Sequence, residues 1–348
     1  MVRIAMPLTI AFYSFEDPAY ACARLRVLEP VRALGRSVRL LQGAIPRGPG
    51  HAVATDILAQ ADLVLIQRYF PCPQTAQVLE TIFAAGKPVV YDTDDDFAAI
   101  GPDHPFHARM ADILPHIRRT VRRAHLVTVS TPVLAAVLAE ENPTVRVLPN
   151  LLPDALWHPA PPPSRPIVAI GMAATATHHG DLAPLENVLS RLAGSLAGKA
   201  RFAFYGCPPT PEAFPRASII PFAPDYPAYA ARLPRLGWGI GLAPLADTAF
   251  NRAKSPIKWL EYAVSGICGI FADLPPYRDV VVPEETGLLV GPEPAAWAEA
   301  ISRLVADTAL RRRIAARAFE TVAAKHMLST GVGRYLDAWN TAAQGDRS

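Results

Sequence analysis

Cysteine and lysine are both scarce in this 348-residue chain. Cys22, Cys72, Cys207 and Cys268 are its only thiols. No two form a CxxC pair and no zinc-ligand spacing occurs. That excludes a disulfide framework and a zinc ribbon, and it predicts free thiols in a reducing compartment. Lysine occurs only at Lys87, Lys199, Lys254, Lys258 and Lys325, so arginine carries most of the positive charge. Charge of either sign is thin: 19% of residues are charged, against about 25% in an average domain. The net charge of +3 leaves no electrostatic footprint for duplex DNA, and no nucleic-acid partner is expected. Long apolar runs are lacking too. The opening MVRIAMPLTIAFYSFED is broken at Pro7 and closed by Glu16 and Asp17, which predicts no signal peptide. No stretch reaches the roughly 18 apolar residues of a membrane span.

What is present is core-forming material. Apolar residues make up 51% of the chain, which excludes wholesale disorder. At about 150 residues per domain, the length predicts two domains. Short apolar runs alternate with helical patterns throughout. The first half predicts strands at 8–14, 37–42, 62–67, 88–92, 125–130 and 145–150, with helices at 20–34, 73–85, 106–123 and 131–139. The second half predicts strands at 166–171, 200–206, 217–222, 238–245, 268–273 and 287–291, with helices at 181–197, 225–234, 256–265, 294–306, 308–325 and 331–343. Near-continuous apolar strands separated by helices predict α/β domains with doubly wound parallel sheets. Between the halves, LLPDALWHPAPPPSRP (151–166) carries six prolines in sixteen residues, which no helix or central strand tolerates. The expected division is therefore 1–155 and 156–330. Two such domains would flank a cleft, with ligands beyond the carboxyl ends of the strands.

That rule selects five places. After the strand ending at Gly171, the loop MAATATHHGD brings small residues, Thr177, His178 and His179 to a helix start, a setting suited to phosphate. An ordinary loop with solvated histidines is the competing reading. In FNRAKSPIKWLEYAVSG (250–266), two of the five lysines stand four apart. Ser255 can cap a helix there and Pro256 suits its first turn. Lys254 and Lys258 would then meet an anion such as a diphosphate. Glu261 would grip sugar or ribose hydroxyls, or else simply pair with Lys258 on the surface. In YDTDDDF (91–97), four carboxylates crowd five positions. Asp92 and Asp94 resemble the aspartate pair of haloacid-dehalogenase phosphatases, nucleophile and general acid with Mg²⁺, although Asp96 stands where that motif has Thr or Val. Solvated helix caps are the alternative. Arg24 and Arg26 follow the first strand, placed for phosphate or an acidic acceptor or as exposed helix charges. Arg118, Arg119, Arg122 and Arg123 form a basic helix face, for anionic lipid headgroups or for solvent.

Taken in order, RLRVLEPVRALG, VVYDTDDDF, LVTVSTPVLAAVL, VRVLPNLLPDALW and KSPIKWLEYAVSG resemble family 4 (group 1) glycosyltransferases of the GT-B fold. They are most similar to the subgroup of bacterial cell-surface polysaccharide and O-antigen clusters. The resemblance implies two Rossmann-like domains facing a central cleft and a final helix, 331–348, packed back on the first. It implies transfer of a sugar from a nucleotide-diphosphate sugar on the second domain to a glycan, lipid-linked or protein acceptor on the first. Retention of configuration, no metal and no cofactor are implied as well. So is a cytoplasmic location, with peripheral contact at the inner membrane. Residue by residue, Glu261 matches the second glutamate of the family's paired motif, near the donor ribose. Ala253 stands where the first belongs, leaving Asn251, Lys254 or a backbone group to meet the transferred sugar. Lys254, Ser255 and Lys258 fall on the donor diphosphate segment, and Gly171, Thr177 and His178 on the loop facing the donor phosphates. Phe222 or Tyr226 would lie near the nucleotide base. Arg24, Arg26 and Asp95 fall on the acceptor side. The candidate catalytic set is Glu261, Lys254, Asp92 and Asp94. Two other functions stay open: a non-catalytic GT-B protein that binds a glycan or a partner, which Ala253 favours, and an Mg²⁺-dependent phosphohydrolase built on Asp92 and Asp94.

Overall fold

The computed structural model describes residues 6–47, 50–158, 166–214 and 217–345. The chain divides into two compact units. Unit 1 takes in the described residues of Met1–Leu151, Ala253–Ser255 and Gly331–Ser348, and unit 2 those of Leu152–Arg252 and Pro256–Thr330. Of the proline-rich segment, 159–165 lie outside the described residues. The division falls after Leu151, where the sequence reading placed it after 155.

Unit 1 is built on strands β1 (Leu8–Tyr13), β2 (Val38–Gln42), β5 (Leu63–Gln67), β6 (Val89–Thr93), β7 (Leu126–Val129) and β8 (Val145–Val147), with a hairpin of β3 (Ala44–Arg47) and β4 (Gly50–Val53) inserted after β2. The main sheet is wholly parallel, in the order β2-β1-β5-β6-β7-β8. Every residue of β5 and β6 is buried, because helices cover both faces and the strands are mostly apolar, with Gln67, Asp92 and Thr93 confined to their carboxyl ends. The helix Gly333–Ala343 belongs to this unit. Its Tyr335 and Trp339 are buried, and the Tyr335 hydroxyl donates to Pro149 O at 3.0 Å.

Unit 2 repeats the plan with β9 (Val168–Ala173), β10 (Ala200–Tyr205), β11 (Ser218–Ile220), β12 (Ile240–Ala243), β13 (Cys268–Ala272) and β14 (Leu288–Val290). Its parallel order is β11-β10-β9-β12-β13-β14. Each sheet has one point where successive connections leave in opposite directions, between β1 and β5 in unit 1 and between β9 and β12 in unit 2. Such a switch point opens a crevice at the carboxyl ends of the strands.

Two details correct the sequence reading. Gly171 is not a loop glycine. It sits inside β9, paired with Gly241, and a Cβ there would stand 2.0 Å from the Trp238 ring. The missing side chain is what lets that indole pack. The helix expected from 181 begins earlier and is broken: short turns at Ala176–His178, His179–Leu182 and Ala183–Leu185 precede the regular helix Glu186–Ser195. Pro184 withholds a backbone donor there.

Candidate functional site

At the carboxyl edge of unit 1, the acidic turn after β6 is organised by a residue the sequence reading passed over. Arg68 follows β5 with a left-handed φ of 51°. Its Nε donates to Glu16 Oε1 at 2.5 Å, and its Nη1 donates to Asp95 Oδ2 at 2.8 Å and to Asp94. The guanidinium lies 4.9 Å from the Phe97 ring centre, so aromatic faces replace water around it. One cation serves three carboxylates. Burial pushes the Glu16 and Asp94 carboxyls above their usual range despite Arg68. Burial acts on Asp95 too, but Arg68 and then Lys254 outweigh it and hold Asp95 below. The signal was available: four carboxylates in five positions demand a cation, and Arg68 ends the strand next to theirs.

Arg26 and Asp92 are buried and face each other. Arg26 donates to Asp92 through Nε at 3.2 Å and Nη2 at 2.7 Å, and to Leu148 O and Asn150 Oδ1 through Nη1. Thr128 Oγ1 also donates to Asp92 Oδ2, at 2.7 Å. Both side chains are buried. The reading of Arg26 as a phosphate or acceptor group, and of Asp92 as a nucleophile, is corrected accordingly: the pair is a satisfied internal ion pair. Arg24 is held by Glu29 at 2.6 Å. The tripeptide Ala253–Ser255 belongs to unit 1. Thr131 Oγ1 donates to Ala253 O at 2.8 Å, and Asn150 Nδ2 donates to Ser255 Oγ at 3.0 Å. Ser255 therefore caps no helix. The helix Ile257–Val264 starts from Pro256 without a side-chain cap. Lys254 is grouped with unit 1 and not with Lys258. The basic face of the helix His107–Arg123 is matched by acids: Arg118 and Arg122 by Glu141, Arg119 and Arg123 by Glu80.

In unit 2, two networks occupy the carboxyl edge. Glu261 is 2% exposed. Its Oε2 accepts from Tyr229 Oη at 2.7 Å and Lys258 Nζ at 2.7 Å, and its Oε1 from Tyr226 Oη at 3.4 Å. Trp157 Nε1 in turn donates to Tyr226 Oη at 3.1 Å. A carboxylate open to ribose hydroxyls is therefore not what the structure contains, nor is a surface ion pair. Glu261 anchors two tyrosines and a lysine. Burial and then Glu261 hold the Tyr229 hydroxyl well above its usual pKa. The Lys258 side chain keeps 21% exposure. Two of its three donor positions go to Glu261 and Tyr229. Tyr226 is buried, while Phe222 is 46% exposed beside Gly206, whose φ of +84° and absent Cβ admit the ring.

The second network spans the switch point. Asp181 Oδ1 accepts from Ala246 N at 2.8 Å and Asn251 Nδ2 at 2.9 Å, and Asp181 Oδ2 stands 2.7 Å from His178 Nδ1. Asp181 thus joins the loop after β9 to the loop after β12. Sequence pattern points to His178 and Asn251 but not to the acid between them. Thr177 Oγ1 lies 2.7 Å from Thr175 Oγ1 on the exposed side of this loop. The Cys207 thiol nearby is pushed up to about 11 by burial, Asp181 and Glu186. Among the described residues, no group of three or more His, Cys, Asp or Glu is placed to hold a metal ion, and no helix is long and apolar enough to cross a membrane.

No family model matches the sequence, and no curated protein does. Solved structures do match. The chain is similar to Anabaena HepE in complex with UDP-glucose, with 13% identity and a TM-score of 0.68 over 96% of this chain and 99% of that one. It is similar to WaaG, a glycosyltransferase involved in lipopolysaccharide biosynthesis, with 12% identity and a TM-score of 0.64 over 95% and 99%. It matches TarM with 11% identity and a TM-score of 0.60 over 80% of this chain and 54% of TarM, so it spans about half of TarM's length. These likenesses, with the two parallel sheets, identify the fold as GT-B.

Proposed function

We propose that the chain is a glycosyltransferase of the family 4 type, moving a sugar from a nucleoside diphosphate sugar to a glycan or lipid-linked acceptor of the cell envelope. The observation that carries the reading is the switch point of unit 2, in a GT-B fold. A Rossmann-order sheet brings a small-residue loop, His178 and the start of the Lys258 helix to its carboxyl edge. In this reading the donor diphosphate lies against the 174–178 loop. Lys258, aimed by Glu261 and Tyr229, supplies charge, and Phe222 lies under the base. The bond between the anomeric carbon and the β-phosphate oxygen breaks as the acceptor oxygen attacks that carbon, and the acceptor hydroxyl's proton passes to the leaving diphosphate oxygen. Fixed donors and an ammonium meet the charge that develops on the leaving diphosphate. No metal is assigned to that task, and retention of configuration is part of the proposal. The acceptor falls to unit 1, at the Glu16, Asp94 and Asp95 edge. The phosphohydrolase reading loses its nucleophile, since both oxygens of Asp92 are taken by Arg26 and Thr128.

The test is a thermal-shift panel of UDP, GDP, ADP, CMP and dTDP, each with Mg²⁺ or EDTA. A nucleotide at about 100 times its Kd adds roughly 2.7 kcal/mol. The expected result is a rise of several degrees for one nucleotide that survives EDTA and shrinks in Lys258→Ala. No rise with any nucleotide overturns the proposal.

A further inference from the structure

We infer that Asp181 is a positioning residue for the donor phosphates: it holds His178 by Nδ1 and, through its other oxygen, Asn251 and the loop that precedes it. The inference rests on the donor site proposed above and goes beyond it by adding a buried residue that no motif pointed to. A carboxylate only accepts hydrogen bonds, so His178 Nδ1 carries the proton in the 2.7 Å contact. A ring held at Nδ1 presents Nε2 on its opposite edge, and the carboxylate at its back stabilises the imidazolium that an anionic diphosphate draws out. The same logic, in which an acid fixes tautomer and orientation without touching the reacting group, underlies the aspartate of hydrolase triads. The side chain is well placed for this work. Asp181 is only 8% exposed, and its Oδ1 is fixed by two donors, Ala246 N and Asn251 Nδ2.

Asp181→Asn separates this role from a structural one. An asparagine keeps an oxygen for Ala246 N and Asn251 Nδ2, so the loops stay tied. It turns an NH₂ toward His178, which strips the proton from Nδ1. The experiment is ¹⁵N NMR of the histidine rings, with the His178 signal identified by its loss in His178→Gln. Alongside it, calorimetric titration with UDP, GDP, ADP and dTDP covers wild type, both single variants and the double variant. The wild-type spectrum should show Nδ1 protonated and the Asp181→Asn spectrum Nδ1 bare. Whichever nucleotide binds the wild type should bind each single variant about tenfold more weakly. The double variant should be no weaker than the weaker single one, because both remove the same interaction. Affinity within twofold of wild type in Asp181→Asn, additive losses, or an unprotonated Nδ1 in the wild type would overturn the inference. If Asp181→Asn melts early, the wild-type spectrum and His178→Gln carry the test. Absence of binding to wild type by every nucleotide overturns the donor-site reading instead, and the Nδ1 signal then still decides what Asp181 does to His178.

Discussion

Between β1 and β5 of unit 1, the loops at the switch point are joined by charge: Arg68 binds Glu16 after β1 and Asp94 and Asp95 after β6. Between β9 and β12 of unit 2, the loops are joined by one small acid, Asp181, bonded to a backbone N–H, an amide and an imidazole. Both sheets are six parallel strands with one switch point, and the occupants of the crevice differ. A bulky guanidinium stacked on Phe97 fills the first with the protein's own groups. The second keeps short side chains at 173–177 and leaves its polar atoms at the strand ends. In the function proposed above, the unit 2 edge takes the anion and the unit 1 edge the hydroxyl groups, and the difference lies in a few residues after the strands.

The comparison breaks most easily where unit 1 is charged and dry. Arg26→Met leaves Asp92 buried without its cation and should cost about 3–5 kcal/mol in urea unfolding, while the double change Arg26→Met/Asp92→Leu should recover much of it. On the unit 2 side, Gly171→Val should cost about 1–3 kcal/mol by pressing on the Trp238 ring, with nucleotide affinity following only the loss of fold. Arg68→Met should change the pH profile of stability. Glu16 and Asp94 have raised pKa values in the fold, so each gives stability that is complete below the ordinary carboxylate range, near 4. That contribution is lost as pH rises through the raised value. Asp95 is lowered and acts the other way, giving stability that is lost as pH falls. Without Arg68 all three shift upward. Melting temperature should then fall more steeply from pH 5 to 8 in Arg68→Met than in wild type, and Asp94→Asn in that background should flatten the fall. The smallest effect expected is that of Phe222→Ala: nucleotide affinity down by about 1 kcal/mol in calorimetry, with melting temperature unchanged because the ring is half-exposed.

The sheets were legible because buried parallel strands advertise themselves. VLIQ-type runs with no polar alternation marked β1, β5, β6, β9, β10 and β13, each with bounds within two residues of those observed. The hairpin β3–β4 was not legible. Its residues are largely exposed, so no apolar periodicity records it. Ser255 looked like a helix cap by type, but the chain turns at Pro256 and gives the hydroxyl to Asn150. Glu261 was found by position, yet its partners Tyr226 and Tyr229 lie more than thirty residues away, beyond any local pattern. Arg26 and Asp92 look functional in the sequence because both stand beside the right edge. What spacing does not record is that they stand there facing each other.

The most direct measurement is amide hydrogen exchange with and without the nucleotide that raises the melting temperature. The account predicts new protection in 174–181, 244–251 and 257–261, with exchange at 14–17, 68–70 and 94–96 unchanged. Protection appearing at the Arg68 edge, with the Asp181 loops unaffected, would contradict it.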